Sequence, residues 1–349
     1  MYPSETDSLF GVFVKNFKKE LKRQNVIFSK VSVIKGKGTS LFEKLIRYSK
    51  HYISCFKNYY SYEYDLIYFH YLTHHIPVLL LFNNKKKIVV NSHGSDIIGL
   101  QTNKVLNFFA KKILVKIDLL VVPTSYFKSK VLDFYPFLNE KTIFVSPSAG
   151  IEPNKFYYKN SKVFDSNILC IGFVSRFIEE KGWETFLEAL LILKSKKIKF
   201  NAIIAGKGPD ESKILKYIKL NGLQKDVAFL GLVKQEELVD IYNKLDLYIF
   251  PTYREAESLG LTGLEAMSCG TPVVSCNVAG PTTYIKHQEN GFLFPPKDAN
   301  SLVENILFYY NLSPSEKKNL SQNALESAKL YESTFVSQNL YKRLSSLID

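Results

Sequence analysis

The chain has 349 residues, of which 46% are hydrophobic and 23% are charged. These values are ordinary for globular proteins and exclude a chain that is disordered over long spans. The length suits two domains of about 150 residues, each with a core of its own. No apolar run approaches the roughly 18 residues that span a bilayer, and no signal-peptide pattern opens the chain. If the protein touches a membrane, we expect it to lie on the surface.

The net charge of +13 is concentrated in the first half of the chain. Residues 1–160 hold 24 Lys and Arg against 11 Asp and Glu, whereas residues 161–349 hold 22 of each kind. This asymmetry favours contact between the first half and an anionic membrane surface or an acidic partner. A basic face that only keeps the protein soluble is the alternative.

The four cysteines form no C-x-x-C pair, and they are Cys55, Cys170, Cys269 and Cys276. No His/Cys spacing is typical of a zinc site, so we predict no bound metal and reduced thiols, as in a cytoplasm. His70, His74 and His75 cluster near a predicted strand end. Metal binding there is conceivable, but the spacing favours acceptor-side or structural roles.

In the first half, short apolar runs that are typical of buried strands alternate with helical patterns. The predicted strands are Val26–Val33, Asp65–Phe69, Ile88–Asn91, Leu119–Pro123 and Thr142–Val145. The predicted helices cover residues 11–24, 40–57, 102–116 and 125–135. This alternation predicts a parallel sheet with helices on both faces.

The second half repeats the alternation with clearer turn signals. The predicted strands are Ile168–Val174, Phe200–Ala205, Val227–Leu230, Leu247–Phe250 and Pro272–Cys276. The predicted helices lie near residues 181–197, 210–221, 235–244, 259–268, 299–311, 315–330 and 333–348.

The two halves together predict an α/β protein with two Rossmann-like, doubly wound domains. We place the first domain at residues 1–158 and the second at 159–349, joined within the polar segment 153–166. The last helix could pack back on the first domain. The carboxyl ends of the two sheets would then face a central cleft. Ligands of open α/β sheets bind at that edge.

The densest chemical signal lies between Phe250 and Val274. We predict that a buried strand ends at Pro251 and that Ser258 caps a helix running to Cys269. The free backbone N–H groups of Gly260 and Leu261 would then form an anion site suited to a diphosphate.

Two acidic residues flank that predicted anion site. Glu257 and Glu265 are eight positions apart, which corresponds to about 12 Å along a helix. Such a spacing could place one carboxylate on sugar hydroxyls and the other on ribose hydroxyls. Taken alone, the two glutamates are equally typical of an exposed loop acid and a solvated helix acid.

The residue pattern of this segment resembles the E-x7-E motif of retaining glycosyltransferases of family 4, which have the GT-B fold. The match runs through Ser258-Leu259-Gly260-Leu261 and Leu264-Glu265-Ala266-Met267 to Gly270-Thr271-Pro272. The resemblance implies that Glu257 contacts the donor sugar, that Glu265 contacts the ribose, and that Gly260 and Leu261 hold the phosphates. Ser258 would belong to the same donor-binding loop.

A second match to the family covers Gly172–Gly182. Arg176 and Lys181 follow a predicted strand, and preorganised cations stabilise a departing diphosphate without a metal. The resemblance implies that role for both, whereas the alternative is a surface pair in a mixed-charge loop. No D-x-D metal motif occurs in the sequence, which agrees with a metal-independent reaction.

Two weaker signals also resemble the family. Gly206, in Ala205-Gly206-Lys207-Gly208-Pro209, looks like the turn that lines the nucleotide. Leu232 and Val233 look like the loop whose backbone reads the base. Each is of low specificity on its own.

The first half offers two further candidates. His93 follows an apolar strand at its carboxyl end, where the family has a His near the donor sugar, although a lone His is more often structural. Gly11 lies in a segment from Tyr2 that resembles the family's opening loop on the acceptor side. The strand that normally precedes this loop is not found, so a truncated start or an incomplete sheet is expected.

These patterns predict a retaining, metal-independent glycosyltransferase that moves a hexose-type sugar from a UDP- or GDP-sugar to a carbohydrate acceptor. The acceptor would be a lipid-linked surface polysaccharide or oligosaccharide, such as lipopolysaccharide or capsule, at the inner face of the plasma membrane. The alternatives are a GT-B enzyme with a soluble acceptor and a catalytically silent sugar-nucleotide-binding subunit. A pI of 9.2 alone suggests nucleic-acid binding, but no RNA-binding or helix-turn-helix motif supports it.

Overall fold

The computed structural model describes residues 2–3, 11–36, 38, 40–61, 64–83, 86–159, 162, 164 and 168–348. Most of the predicted opening loop and part of the predicted linker lie outside the described residues. Contacts between residues divide the chain into two compact units. Unit 1 consists of Met1–Gly150 together with Ser333–Asp349, and unit 2 consists of Ile151–Glu332.

The division between the units falls at Gly150, earlier than the predicted boundary at residue 158. Ile151 and Phe156 are buried in a core of unit 2, and the Ile151 N–H donates to the Tyr331 carbonyl at 2.7 Å. The segment before residue 158 has no periodicity, so the sequence did not reveal that it packs on the second unit. The last helix belongs to unit 1 and packs there through its apolar side.

Unit 1 is built on four parallel strands in the order β1-β2-β3-β4. They are β1 (Leu66–His70), β2 (Lys87–Asn91), β3 (Leu119–Val122) and β4 (Ile143–Val145). All four residues of β3 are buried, because apolar side chains cover both faces of a central parallel strand. Because β1 and β2 are parallel, the polar side chains that follow these two strands lie at the same edge of the sheet.

Seven helices of unit 1 lie within the described residues. They are α1 (Val12–Arg23), α2 (Leu41–Tyr59), α3 (Leu72–Leu79), α4 (Ser95–Thr102), α5 (Lys104–Leu114), α6 (Ser125–Phe134) and, from the end of the chain, α13 (Ser333–Ser345). Leu340 and Leu344 of α13 are buried with Phe17 and Leu21 of α1. This apolar contact explains why the last helix belongs to unit 1.

The predicted strand Val26–Val33 is wrong, since none of these described residues is in a strand. Ile27 is 88% exposed and Val31 is also exposed, and within the described residues the segment pairs with no strand. Val26 and Phe28 pack against the core formed by α1 and α13 but are only partly buried there. An apolar, β-branched composition is not enough to make a strand without a ladder partner.

The helix predicted over residues 102–116 corresponds to α5, which begins two residues later, at Lys104. Asn103 has extended dihedral angles, and its side chain accepts a hydrogen bond from the Leu106 N–H at 3.0 Å. This cap begins a new helix and separates it from the preceding one. Helices α3 and α4 were not predicted, because both are short and lie next to strand ends.

Unit 2 contains six parallel strands in the order β10-β9-β8-β5-β6-β7. They are β5 (Leu169–Val174), β6 (Phe200–Ala205), β7 (Val227–Gly231), β8 (Leu247–Phe250), β9 (Val273–Cys276) and β10 (Gly291–Phe294). The chain builds outward from β5 in one direction and then from β8 in the other. The strand order therefore reverses between β5 and β8, which pair through Ile171 and Leu247.

Six helices cover this sheet. They are α7 (Trp183–Ser195), α8 (Glu211–Leu220), α9 (Gln235–Lys244), α10 (Leu261–Ser268), α11 (Ala299–Tyr310) and α12 (Pro314–Lys329). The predicted elements of this half match closely, apart from β10, which was not predicted. Within the described residues, none of the helices of either unit has the length and apolar character needed to cross a membrane.

Candidate functional site

The site of unit 2 forms where the order of its strands reverses. The loops after β5 and β8 emerge side by side at the carboxyl edge of the sheet, because these two parallel strands are neighbours. In open α/β sheets this edge is the usual ligand site. Arg176 and Lys181 lie on the first loop, and Glu257 lies on the second.

Lys181 and Glu257 form an ion pair across these two loops. Their side chains are only 14% and 13% exposed, so the pair is largely withdrawn from water. The hydroxyl of Thr252 donates to the same Glu257 oxygen at 3.4 Å, and the Lys181 ammonium lies 5.5 Å from the centre of the Phe250 ring. The arrangement places an acceptor for hydroxyl groups beside a cation suited to an anionic leaving group.

Backbone contacts hold the two loops together. Gly182 has a φ of +74°, and a β-carbon there would lie 2.0 Å from the carbonyl oxygen of Pro251. The Tyr253 N–H also donates to the Glu180 carbonyl at 3.1 Å. Only glycine combines this dihedral angle with so close an approach. Gly182 thereby positions Lys181, its neighbour in sequence, against the loop that carries Glu257.

Gly260, not the predicted Ser258, is the N-cap of helix α10, which begins at Leu261. Gly260 has a φ of +73° and no side chain caps the helix. Ser258 cannot reach the capping position because it lies further back in the loop, where its carbonyl packs against Gly280. Within the described part of the chain, the amides of Gly260 and Leu261 have no hydrogen-bond partner. They are available to an anion, as predicted.

Glu265 is a buried acid, not a solvated helix acid. Its carboxylate accepts a hydrogen bond from the Tyr242 hydroxyl at 3.1 Å. Burial raises the pKa of Glu265 to about 7, although the hydrogen bond from Tyr242 opposes the rise. A buried carboxyl with spare acceptor capacity is suited to hold neutral hydroxyl groups.

The predicted separation of about 12 Å between the two glutamates assumed that both lie on one helix. Glu257 lies in the loop, and only the four steps from Leu261 to Glu265 rise along α10. That rise is about 6 Å. The spacing argument is therefore wrong for this segment, although both acids flank the start of α10.

Arg176 stands apart from the ion pair. Its side chain is exposed, and it forms no hydrogen bond or ion pair with any other described residue. Its backbone carbonyl accepts from the Ile178 N–H at 3.0 Å, which keeps the loop tightly turned after β5. The guanidinium is thus free to pair with an anion, while Lys181 already has a carboxylate partner.

The predicted nucleotide-side residues flank the same edge. Gly206 follows β6, and a β-carbon there would lie 1.8 Å from the Ser175 carbonyl oxygen. Its N–H donates to the Gly231 carbonyl at 2.7 Å, which ties it to the end of β7. Leu232 is exposed, and Val233 packs partly against the core. Their roles stay predictions from the resemblance.

Two of the predicted residues, His93 and Gly11, belong to unit 1. His93 follows β2, and its Nε2 lies 3.1 Å from Nδ1 of His70. The backbone N–H of His93 donates a hydrogen bond to the Asp96 carboxylate at 2.8 Å. The centre of the His93 ring lies 4.8 Å from that of the Phe13 ring. Burial lowers the pKa of His93 to about 4, so the ring is neutral at pH 7.

Gly11 precedes α1 in the left-handed conformation, with a φ of 72°. It lies two positions before Phe13, whose ring contacts His93, so the start of α1 approaches the end of β2. The roles predicted for Gly11 and His93 on the acceptor and donor sugars stay predictions.

Sequence reasoning missed two residues that shape these sites, Thr252 and Tyr242, which hold Glu257 and Glu265, respectively. His70, which contacts His93, was predicted to have an acceptor-side or structural role. Thr252 was visible two positions after a predicted strand end. Tyr242 gave no local signal, because it lies on α9 and meets Glu265 only after folding.

Comparison with known proteins places these features in a family. Residues 155–327 match the family described as "Glycosyl transferases group 1". The chain is similar to the capsular polysaccharide biosynthesis glycosyltransferase CapM of Staphylococcus aureus, with 24% identity over 78% of this chain and 79% of that protein.

Solved structures show the same fold. The sucrose-phosphate synthase of Thermosynechococcus elongatus has a TM-score of 0.77 and 20% identity, covering 96% of this chain and 92% of that one. Alr3699/HepE of Anabaena, solved in complex with UDP and glucose, has a TM-score of 0.70 and 18% identity, covering 94% and 89%. At these identities the likeness shows the fold alone, and the expected GT-B class is confirmed.

Proposed function

The chain belongs to the group 1 glycosyltransferases and has the GT-B fold, and from this premise we propose that it transfers a hexose-type sugar from a UDP- or GDP-sugar to a growing surface polysaccharide or oligosaccharide. The observation that carries the proposal is the shielded Lys181–Glu257 pair beside the uncapped start of α10. Relatives that act in capsular polysaccharide biosynthesis, such as CapM, support the acceptor class.

The donor diphosphate would lie at the amides of Gly260 and Leu261. Those amides, the free Arg176 guanidinium and the Lys181 ammonium together supply the positive charge that a departing nucleoside diphosphate needs. Lys181 would stabilise the negative charge that develops on the leaving group, and the proposed reaction uses no metal. The complex of Anabaena HepE with UDP and glucose supports a nucleoside diphosphate as the leaving group.

The donor sugar and ribose would be held by the two acids. Glu257, which pairs with Lys181, would accept hydrogen bonds from sugar hydroxyls. Glu265, buried beside Tyr242, would accept from the ribose. We propose retention of the anomeric configuration, with a phosphate oxygen of the leaving group assisting deprotonation of the acceptor on the same face.

The acceptor would be lipid-linked and presented at an anionic membrane surface. Helix α2 of unit 1 exposes Leu41 at 85%, Phe42 at 71% and Leu45 at 64%. The same helix also carries the exposed residues Lys44 and Lys50. A basic helix with an exposed apolar patch is suited to the interface of an anionic bilayer. We therefore propose that the protein works as a peripheral enzyme on the cytoplasmic leaflet.

A donor screen followed by a transfer assay tests the proposal. The full chain is heated with a panel of UDP- and GDP-sugars, and we expect one donor to raise the melting temperature, because a ligand of the native state stabilises it. That donor is then incubated with membrane-extracted lipid-linked acceptors, and we expect a glycosylated lipid as the product.

The outcomes separate the rival functions. Stabilisation by a donor without transfer to any acceptor would favour the silent binding subunit. Transfer to soluble sugars alone would favour the soluble-acceptor enzyme. No stabilisation by any nucleotide-sugar, and no competition from UDP or GDP, would defeat the donor site itself.

A further inference from the structure

Three side chains with metal-binding atoms meet inside unit 1. His51 and Cys55 lie one turn apart on α2, and His75 lies on α3. Their ligand atoms all lie within 4.8 Å of one another. Among the described residues, this is the one group of three or more such side chains at metal-binding distance. None of the three has a part in the proposed transfer reaction.

Two of the three distances between the ligand atoms are close to those around a tetrahedral zinc ion. The Nε2 atom of His51 lies 3.0 Å from Nε2 of His75 and 3.6 Å from Sγ of Cys55. Tetrahedral bonds of about 2.0–2.1 Å to nitrogen and about 2.3 Å to sulfur place two nitrogens about 3.3 Å apart, and a nitrogen and a sulfur about 3.6 Å apart. To bind the ion, the two imidazoles would open by a few tenths of an ångström, and Sγ of Cys55, now within 4.8 Å of Nε2 of His75, would lie about 3.6 Å from it.

A backbone hydrogen bond orients the ring of His75. Its Nδ1 lies 2.8 Å from the carbonyl oxygen of Tyr71. Because a carbonyl only accepts, Nδ1 carries the proton, and Nε2 presents its lone pair towards His51. A ligating histidine usually donates its other N–H to a carbonyl or carboxylate in this way, which fixes the tautomer that binds metal.

The chemistry and burial of the group favour zinc over other common ions. All three side chains are buried, with exposures of 8% for His51, 7% for Cys55 and 9% for His75. Two imidazoles and a thiolate are ligands for Zn²⁺, whereas Mg²⁺ and Ca²⁺ prefer oxygen. The sequence spacing did not predict this site, because its third ligand comes from a different helix.

We infer that His51, Cys55 and His75 bind one Zn²⁺ ion that fastens α2 to α3. On binding, the Cys55 thiol releases its proton to solvent and becomes a thiolate, while both imidazoles bind as neutral ligands. A water molecule completes the fourth position. The ion would join α2 to α3 and so hold the helix that also exposes Leu41 and Phe42.

Metal titration of the full chain tests this inference. The purified protein is stripped with a chelator and titrated with Zn²⁺ against a chromophoric competitor, and separately with Co²⁺. We expect one equivalent to bind, a higher melting temperature, and a thiolate-to-cobalt charge-transfer band with tetrahedral Co²⁺. Absence of stoichiometric binding would overturn the inference and leave a hydrogen-bonded pair of histidines.

Matched variants assign the binding to these residues. We expect Cys55→Ala and His75→Asn to weaken Zn²⁺ binding more than about 100-fold, beyond the roughly 10- to 100-fold cost of losing an outer-shell partner. Cys276→Ala, at another buried cysteine, and His74→Asn, next in sequence to the site, are the controls. Equal affinity in both sets would place the ion elsewhere and refute the site.

A measurement on the unaltered chain covers the case in which a variant does not fold. X-ray absorption of the zinc-loaded wild type reports the atoms around the ion. We expect one sulfur at about 2.3 Å and two imidazole nitrogens at about 2.0 Å. A shell without sulfur, or without imidazole, would overturn the inference without any variant.

Discussion

Lys181 and Glu257 join the two loops at which the strand order of unit 2 reverses, through an ion pair that water barely reaches. The lysine follows β5 and the glutamate follows β8. A shielded pair of this kind is weak evidence for stability, because desolvation of both charges offsets their attraction. Its place at the ligand edge of the sheet favours a role in donor binding and transfer instead.

Glu257→Gln should separate donor binding from catalysis. The amide keeps the size of the side chain and a hydrogen bond to Lys181, but it removes the negative charge that competes with a diphosphate. We expect the affinity for UDP or GDP to be unchanged or up to about tenfold tighter. We expect sugar transfer to fall by about 100-fold or more, as when one preorganised contact to a transition state is lost.

Nucleotide binding by calorimetry and product formation by chromatography measure the two effects. Glu255→Gln is the matched control, because Glu255 is an exposed acid on the same loop. It should change neither quantity. Wild-type turnover in Glu257→Gln would remove this carboxylate from the reaction.

Gly182→Ala should destabilise unit 2 more than an ordinary left-handed glycine would. The added β-carbon would meet the Pro251 carbonyl oxygen at 2.0 Å, so the two loops must separate. Gly222 has a similar φ of +64° but nothing within 4 Å of the added atom. We expect about 1 kcal/mol for Gly222→Ala and about 3 kcal/mol or more for Gly182→Ala.

Urea unfolding of the wild type and both variants measures these costs. Because the loops position Lys181, donor binding should also weaken in Gly182→Ala and not in Gly222→Ala. If both variants lose the same free energy of unfolding, the loop after β5 adapts without strain.

Glu265 should make stability fall as the pH rises. Its pKa is raised from 4.5 to about 7 by burial, so the folded state holds a proton that the unfolded state has already lost between these values. The stabilisation is fully present below pH 4.5 and is lost as the pH rises through 7. At 1.36 kcal/mol per pKa unit, up to about 3 kcal/mol is involved.

Glu265→Gln isolates this contribution, because an amide cannot ionise yet still accepts from Tyr242. Free energies of unfolding are measured for both proteins from pH 5 to 8. We expect the variant to gain stability relative to the wild type as the pH rises. A difference that is constant with pH would show that Glu265 ionises normally in the folded state.

The sheet of unit 2 was predictable because its strands are short, continuous apolar runs between turn residues. Phe200–Ala205 and Leu247–Phe250 have the predicted bounds. Val26–Val33 has a similar composition but pairs with no strand in the part of the chain that the structure describes, and composition carries no information about pairing partners. The start of α5 was predicted two residues early, because a capping asparagine such as Asn103 also fits an exposed helix position.

The candidate site was predictable in its residues but not in its geometry. Glu257 and Lys181 came from two separate motifs, and their ion pair depends on β5 and β8 being neighbours. The bond from Tyr242 to Glu265 and the meeting of His75 with α2 join residues on different helices. A local pattern cannot report such contacts, because they form only when helices pack.

Membrane binding should depend on the apolar side chains of α2. Phe42→Asp removes an exposed aromatic side chain and adds a negative charge at the proposed bilayer contact. Loss of the buried apolar area and repulsion from anionic lipid should together weaken binding by about tenfold or more. Co-sedimentation with vesicles of anionic and of neutral lipid measures the change, with high salt as a second variable.

Val105→Asp on α5 is the matched control, since Val105 is also an exposed apolar residue of unit 1. We expect it to lose less affinity than Phe42→Asp, because only the charge effect is shared. Both variants should keep the melting temperature of the wild type, since neither side chain is in a core. Vesicle binding that ignores the anionic lipid content, or that falls equally in both variants, would contradict a specific role for α2 and leave the basic charge as a general solubility feature.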